Sequence, residues 1–215
     1  MSKPYIITIA RTFGSGGKTL GINLSEELGI PCYEDQIIHM ASDYSGINPQ
    51  MFAKVDEKLR GFYIAKKLAG FPDIKRVAQP SERDFTSDDN LFNIQAEIIR
   101  QLSKTESCII IGRCGNIILK DKPNVINVFV DADEDTCNAN VRRRLCVNRT
   151  EAQKLIEKTD RYRAEYYKYY SGGLDWKDPR YYDIMINSTN LGMRKCAELV
   201  KEMVRIKLGE NFTEI

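Results

Sequence analysis

Short apolar runs recur along the chain at residues 5–9, 30–33, 108–111, 125–130 and 182–187, and the stretches between them carry apolar residues at helical spacing. The first run, Tyr5, Ile6, Ile7, Thr8 and Ile9, is rich in β-branched residues and reads as a buried central strand. Leu20, Leu24 and Leu28 then recur every fourth residue, which predicts a helix from about 18 with Gly29 as its stop. A second helix is expected after Glu34 and Asp35, running to about Tyr44. Leu91, Ile94, Ile98 and Leu102 form the stripe of a helix opened by Asp88 and ending near Lys104. The fourth run ends at Asp131 and Asp133, where the next helix is capped. Thr150 and Gln153 have the spacing of a capping box for another. Cys196, Leu199, Val200, Met203 and Val204 give the stripe of a C-terminal helix. Apolar strands alternating with helices predict an α/β fold, with a five-stranded parallel sheet covered on both faces.

Two stretches break this pattern. Residues 48–69 are helical but irregular, and 71–86 mix two prolines with Lys75, Arg76 and Arg83 without a period. A long loop that close to three cations either reaches an anionic ligand or is a solvated crossover. Composition adds little: 42% hydrophobic and 29% charged residues with a net charge of +2 describe one folded domain of 215 residues. No apolar run approaches 18 residues and the N-terminus has no signal-like segment, so a cytoplasmic protein without a membrane partner is expected. The six cysteines show no C-x-x-C pair, which argues against zinc and a disulfide framework and for small core residues.

Chemistry concentrates at three places. Gly14, Ser15, Gly16, Gly17, Lys18 and Thr19 join the first strand to the first helix. Residues with little or no side chain let backbone N–H groups converge on an anion, at a helix N-terminus that also favours negative charge. Lys18 supplies a compact cation and Thr19 a hydroxyl able to sit on magnesium. The match to G-x-x-x-x-G-K-[ST] is incomplete, with Thr12 at the first glycine position, and a flexible surface turn is the plainer alternative. Second, Arg113 stands between Gly112 and Gly115 at the end of a buried strand, where its planar fork can enter a ligand crevice. This makes Arg113 a candidate clamp for a second phosphate group; the structural alternative is an internal ion pair with a carboxylate such as Glu34. Glu34 and Asp35 leave the second strand at its carboxyl end; Asp35 reads best as a helix cap. Third, residues 142–163 hold eight basic and three acidic side chains, Arg142, Arg143, Arg161 and Arg163 among them. The tyrosines that follow, Tyr166, Tyr167, Tyr169 and Tyr170, have the spacing of packing residues. The one histidine, His39, lies in a helix and reads as structural.

In their order these motifs resemble the cytidylate kinase-like family, a branch of the P-loop nucleoside monophosphate kinases. ITIARTFGSGGKT, LGIPCYEDQII, IIIGRCGNIIL, VINVFVDAD, TDRYRAEYYKYYSG and YYDIMINSTNLG carry the resemblance, which spans most of the chain from 6 to 191. It implies a three-layer P-loop NTPase sandwich as a single kinase domain, with a core at about 1–45 and 88–215. A monophosphate-binding insert at about 46–87 and a lid at about 142–180 complete it. The implied reaction is transfer of the ATP γ-phosphoryl group to a nucleoside monophosphate, typically CMP or dCMP, with ATP and Mg2+ as cofactors. On this reading Gly14, Ser15, Gly16, Gly17, Lys18, Thr19 and Arg142 bind the donor nucleotide, and Thr19 also contacts the metal. Glu34 and Arg113 bind the acceptor, and Lys18, Arg161 and Arg163 assist the transfer. The chain departs from the family at Cys114, where an aspartate that helps read cytosine is usual, and at Glu34, where an aspartate is usual. A P-loop kinase of another small molecule, with a hydroxyl acceptor and an aspartate base such as Asp35, stays open. So does a non-catalytic nucleotide- or RNA-binding protein, although a nucleic-acid partner is disfavoured because the basic residues are confined to one segment. An oligomer is left open.

Overall fold

The computed structural model describes residues 4–53 and 77–209. Its sheet is parallel throughout, in the order β2-β3-β1-β4-β5. The strands are β1 (Ile6–Arg11), β2 (Cys32–Tyr33), β3 (Cys108–Ile111), β4 (Val125–Asp131) and β5 (Ile184–Asn187). The helices with both ends among the described residues are α1 (Gly17–Leu28), α2 (Gln36–Ser45), α3 (Asp88–Thr105), a single turn α4 (Gly115–Ile118), α5 (Glu134–Leu145), α6 (Arg149–Tyr170) and α7 (Ser188–Leu208). The first helix after β1 and the return to β3 on one side and β4 on the other put β1 in the centre. Strands that are apolar at nearly every position suit this arrangement, because both faces of the sheet are covered.

Alternation along the strands divides the core in two. Ile7 and Ile9 of β1, Ile109 and Ile111 of β3 and Val128 and Val130 of β4 pack against Leu20 and Leu24 of α1 and Ala197, Val200 and Val204 of α7. On the other face Ile6, Ile110 and Phe129 meet α2, α3 and the buried tyrosines of α6. Tyr170 stacks on Phe92 with ring centroids 3.8 Å apart, so the tyrosine run is packing, as its spacing suggests. Thr8 is buried among these apolar residues, and its hydroxyl donates to Asn127 Oδ1 at 2.7 Å, which joins β1 to β4.

Several boundaries differ from the sequence reading. Ser87, not Asp88, caps α3: its hydroxyl accepts from the Asn90 N–H at 3.2 Å. The capping box of α6 is formed by Asn148 and Glu151, not by Thr150 and Gln153. Asn148 has the extended backbone a cap requires, whereas Thr150 already lies inside the helix. Asp133 caps α5 as expected, accepting from Thr136 N–H at 2.7 Å. The fifth strand starts at Ile184; Tyr182 lies outside it and donates its hydroxyl to the Trp176 carbonyl. α7 begins directly after β5 and is broken at Gly192, where φ is 73°. The expected insert at 46–87 falls largely outside the described residues, as do Lys75 and Arg76. Arg83, within the described 77–86 turns, is exposed. Among the cysteines, Cys108, Cys114, Cys137 and Cys196 are buried, Cys32 is half-buried and Cys146 exposed. Among the described residues no helix is long and apolar enough to cross a membrane.

Candidate active site

The carboxyl ends of β1, β2 and β3 open onto a cleft with two lobes. One, about 340 Å³, is lined by Gly14, Gly16, Gly17, Lys18 and Thr19 together with Asn140, Arg143 and Arg144. The other, about 430 Å³, is lined by Asp35, Arg113, Cys114, Asn116, Tyr162 and Trp176 among others. Arg11, Glu34 and Arg163 line both and form the wall between them.

The loop holds its shape through its own polar atoms. Ser15 is buried and its hydroxyl donates to the carbonyls of Thr12 and Val130, at 2.9 and 3.0 Å. The Thr12 hydroxyl donates to Asp131 Oδ1 at 2.8 Å, which ties the loop to the end of β4. The carbonyls of Gly14 and Ser15 accept from Asn140 Nδ2 and from the Ser188 hydroxyl. With its carbonyls and hydroxyls held from behind, the loop leads into α1, whose first N–H groups have no intrahelical acceptor. These belong to residues lining the smaller lobe, where an anion would meet them. Gly14 has φ +95°, and a Cβ there would stand 2.6 Å from the Cys137 carbonyl oxygen, so no side chain fits.

Charge gathers at the shared wall. The Glu34 carboxylate accepts from Arg11 Nη2 at 2.7 Å and lies 2.5 Å from Lys18 Nζ. Burial pushes the Glu34 carboxyl up, but the Lys18 hydrogen bond and the charges of Arg11, Lys18 and Arg113 outweigh it and hold it below its ordinary value. The same bond and charge raise Lys18. Glu34 is therefore neither solvated nor paired with Arg113; it is the counter-ion of the loop lysine and of Arg11. Arg113 instead reaches Asp35 Oδ1 at 3.5 Å and Gln95 Oε1 at 3.3 Å. Asp35 occupies the cap position of α2 but its side chain makes no capping bond, which corrects the reading of it as a cap. Arg113 and Cys114 both have positive φ, 55° and 52°. A left-handed non-glycine residue costs about 1–2 kcal/mol. Here that backbone carries the Arg113 side chain into the lobe.

From α6, Arg163 donates to the Arg11 carbonyl at 2.9 Å, and Asp160 accepts from the Phe13 N–H at 2.7 Å. The guanidinium groups of Arg144 and Arg163 lie over the Phe13 ring, 4.8 and 5.5 Å from its centroid. Burial pulls Arg163 down to about 9, and the like charge of Arg11 adds to the effect, so its charged form lacks full compensation. Of the basic segment, Arg143, Arg144 and Arg163 thus face the cleft. Arg142 and Arg161 are exposed and line neither lobe, and His39 is exposed on α2. Two contributors have little in the sequence to single them out. Arg144 was hidden in a run of three arginines. Arg11 ends a strand, where a charged residue looks like a solvated terminus.

The chain matches the cytidylate kinase-like family over residues 6–190. It therefore belongs to that family. Among solved structures it is similar to an uncharacterized protein from Eubacterium ventriosum, at 26% identity and a TM-score of 0.66, covering 93% of this chain and 98% of that one. A gluconokinase from Sinorhizobium meliloti (15% identity, all of both chains, TM-score 0.52) shares the fold. So does a shikimate kinase from Bacteroides thetaiotaomicron (11%, 94% and 98%, 0.52). A comparison with curated protein sequences gives no match.

Proposed function

We propose that this member of the cytidylate kinase-like family transfers the γ-phosphoryl group of ATP to a nucleoside monophosphate, with CMP and dCMP the first acceptors to test. The observation that carries the reading is the two-lobed cleft whose dividing wall is cationic. A glycine-rich loop and helix N-terminus suit a polyphosphate on one side. A strand-end arginine and an aromatic wall suit a second, smaller anion with a ring on the other. Transfer through a loose transition state asks for alignment and positive charge more than for covalent help.

In this mechanism the amides of Gly16, Gly17, Lys18 and Thr19 hold the donor phosphates, and Lys18 exchanges its bond to Glu34 for one to phosphate. The Thr19 hydroxyl, exposed in the donor lobe at the start of α1, would help to hold magnesium alongside the nucleotide. That ion would offset charge on the β- and γ-phosphates. Arg113 orients the acceptor phosphate, whose oxygen attacks without a general base because it is already an anion. Arg163 and Arg144 close the cleft from the lid side. The exposed Arg142 and Arg161 are left to act only through a further closure of that side. Cys114 gives the acceptor lobe a thiol in place of a carboxylate, so recognition of the base falls to neighbours such as Asn116.

The test is incubation with ATP, Mg2+ and each nucleoside monophosphate in turn, reading ADP. A monophosphate-dependent release of ADP is expected, reduced at least ~10²-fold in Lys18→Ala and in Arg113→Ala, by analogy with lost transition-state donors. Asp35 lines the acceptor lobe, so sugars and other hydroxyl acceptors belong in the same screen. Turnover with those alone would replace the monophosphate reading. A nucleic-acid role is not favoured, since Tyr166, Tyr167, Tyr169 and Tyr170 are buried and unavailable to stack on bases.

A further inference from the structure

We propose that Arg11 is a catalytic residue: its guanidinium, on the wall common to both lobes, contacts the phosphoryl group as it passes from donor to acceptor. This rests on the kinase reading above. The geometry is specific to this side chain. Arg11 is the last residue of the central strand, directly before the loop, and only 16% of its side chain is exposed. Two glycines make room for it. A Cβ on Gly17 would lie 2.5 Å from Arg11 Cβ, and one on Gly112 would lie 2.2 Å from Arg11 Nη1. The first glycine is in the donor loop and the second in the turn that presents Arg113. Arg11 thus packs closely against the backbone of the donor loop at Gly17 and of the turn at Gly112.

The partners of Arg11 leave it short of negative charge. Glu34 accepts from one of its nitrogens, yet the same carboxylate also serves Lys18. A guanidinium carries five N–H donors in a fixed fork, so several remain for phosphate oxygens. Burial lowers Arg11, and the Arg113 charge adds to it against the opposing pull of Glu34. Around Arg11 stand the cations Lys18, Arg113 and Arg163 together with the carboxylates Glu34, Asp35 and Asp160, so the wall is a cluster of ion pairs in which an incoming phosphate can exchange for a carboxylate partner. As the γ-phosphorus bond to the ADP oxygen breaks and the bond to the acceptor phosphate oxygen forms, the electron pair stays on the β-phosphate. No proton needs to move, and the guanidinium offsets charge on the equatorial oxygens. An arginine so placed can be worth ~10³ or more in rate.

The experiment compares wild type, Arg11→Gln and Arg11→Lys with the acceptor identified in the screen. For each it measures kcat and KM, ATP affinity by titration calorimetry, and thermal unfolding. Expected is a fall in kcat of at least ~10²-fold in the Gln variant, ATP affinity within about threefold of wild type, and partial return of kcat in the Lys variant or on adding guanidinium ion to the Gln variant. A kcat within threefold of wild type in the Gln variant overturns the inference. So does a loss confined to KM or ATP affinity with kcat retained. If the Gln variant unfolds, the folded Lys variant decides: a kcat equal to wild type, with Glu34 still paired, assigns Arg11 a purely structural part and overturns the proposal. Absence of any turnover in wild type would instead be a failure of the kinase reading.

Discussion

At the residue scale, the site turns on how one carboxylate is shared. Glu34 holds Lys18 and Arg11 at once, so its carboxylate is the negative charge that a phosphate would replace in the proposed mechanism. The energetic consequence can be read from pH. Because the folded state lowers the Glu34 pKa from its ordinary 4.5, the ionised form adds stability that is fully present above that value. That contribution disappears as pH falls through the depressed folded value. Gln mimics the protonated acid, so Glu34→Gln is expected to be less stable than wild type at neutral pH. The gap in urea midpoints should shrink as pH drops below about 4.5. A gap that stayed constant from pH 7 to pH 3 would mean that the ion pairs contribute nothing. Little of this was legible in the sequence. Glu34 and Lys18 are neighbours only because the parallel crossover through α1 brings the end of β2 beside the loop, and nothing local in either segment announces the contact. Arg11 had a readable signal, the glycines at 17 and 112, but their meaning depends on the fold that pairs β1 with β3.

At the scale of elements, the apolar runs were enough to locate the strands, because a strand buried on both faces is a continuous hydrophobic segment that has few other uses. Helix starts were harder. The segment 148–153 offers a cap and its partner twice at the same spacing, and the choice between Asn148 with Glu151 and Thr150 with Gln153 depends on where the chain turns after α5. The docking of α6 was invisible in the sequence, since Asp160 sits in a basic helix and looks like a charge-balancing residue. In the fold it accepts from the Phe13 N–H, and with Arg163 it fastens the helix to the loop. A buried N–H deprived of its partner costs about 1–3 kcal/mol. Asp160→Ala should therefore lower stability by about that amount and speed amide exchange at 12–17. Peptides from β3 and β4 should exchange as before. Unchanged exchange across the loop would show that α6 does not fasten it.

For the whole molecule, the useful fact is that one face of the sheet builds both one half of the core and the lobe proposed for the acceptor. Tyr166 and Tyr167 pack against the apolar face of the sheet while also lining the cleft, so filling the lobe must act on the packing of that layer. The chain contains a single tryptophan, Trp176, and it lies there, buried, with its ring edge-on to Phe129 at 5.3 Å. It is well separated in function from the donor lobe, whose lining does not include it. Indole emission responds to polarity and to contacts within a few ångströms, so Trp176 is a built-in reporter of acceptor binding. Titrating the accepted monophosphate in the absence of ATP should give a saturable change in tryptophan fluorescence, and ATP alone should give a much smaller one. Arg113→Ala should shift the monophosphate curve to higher concentration without removing its amplitude, because the ring would still enter beside Trp176 once the phosphate clamp is lost. If ATP produced the larger change, or if Arg113→Ala left the midpoint where it was, the assignment of the two lobes to donor and acceptor would have to be reversed or abandoned.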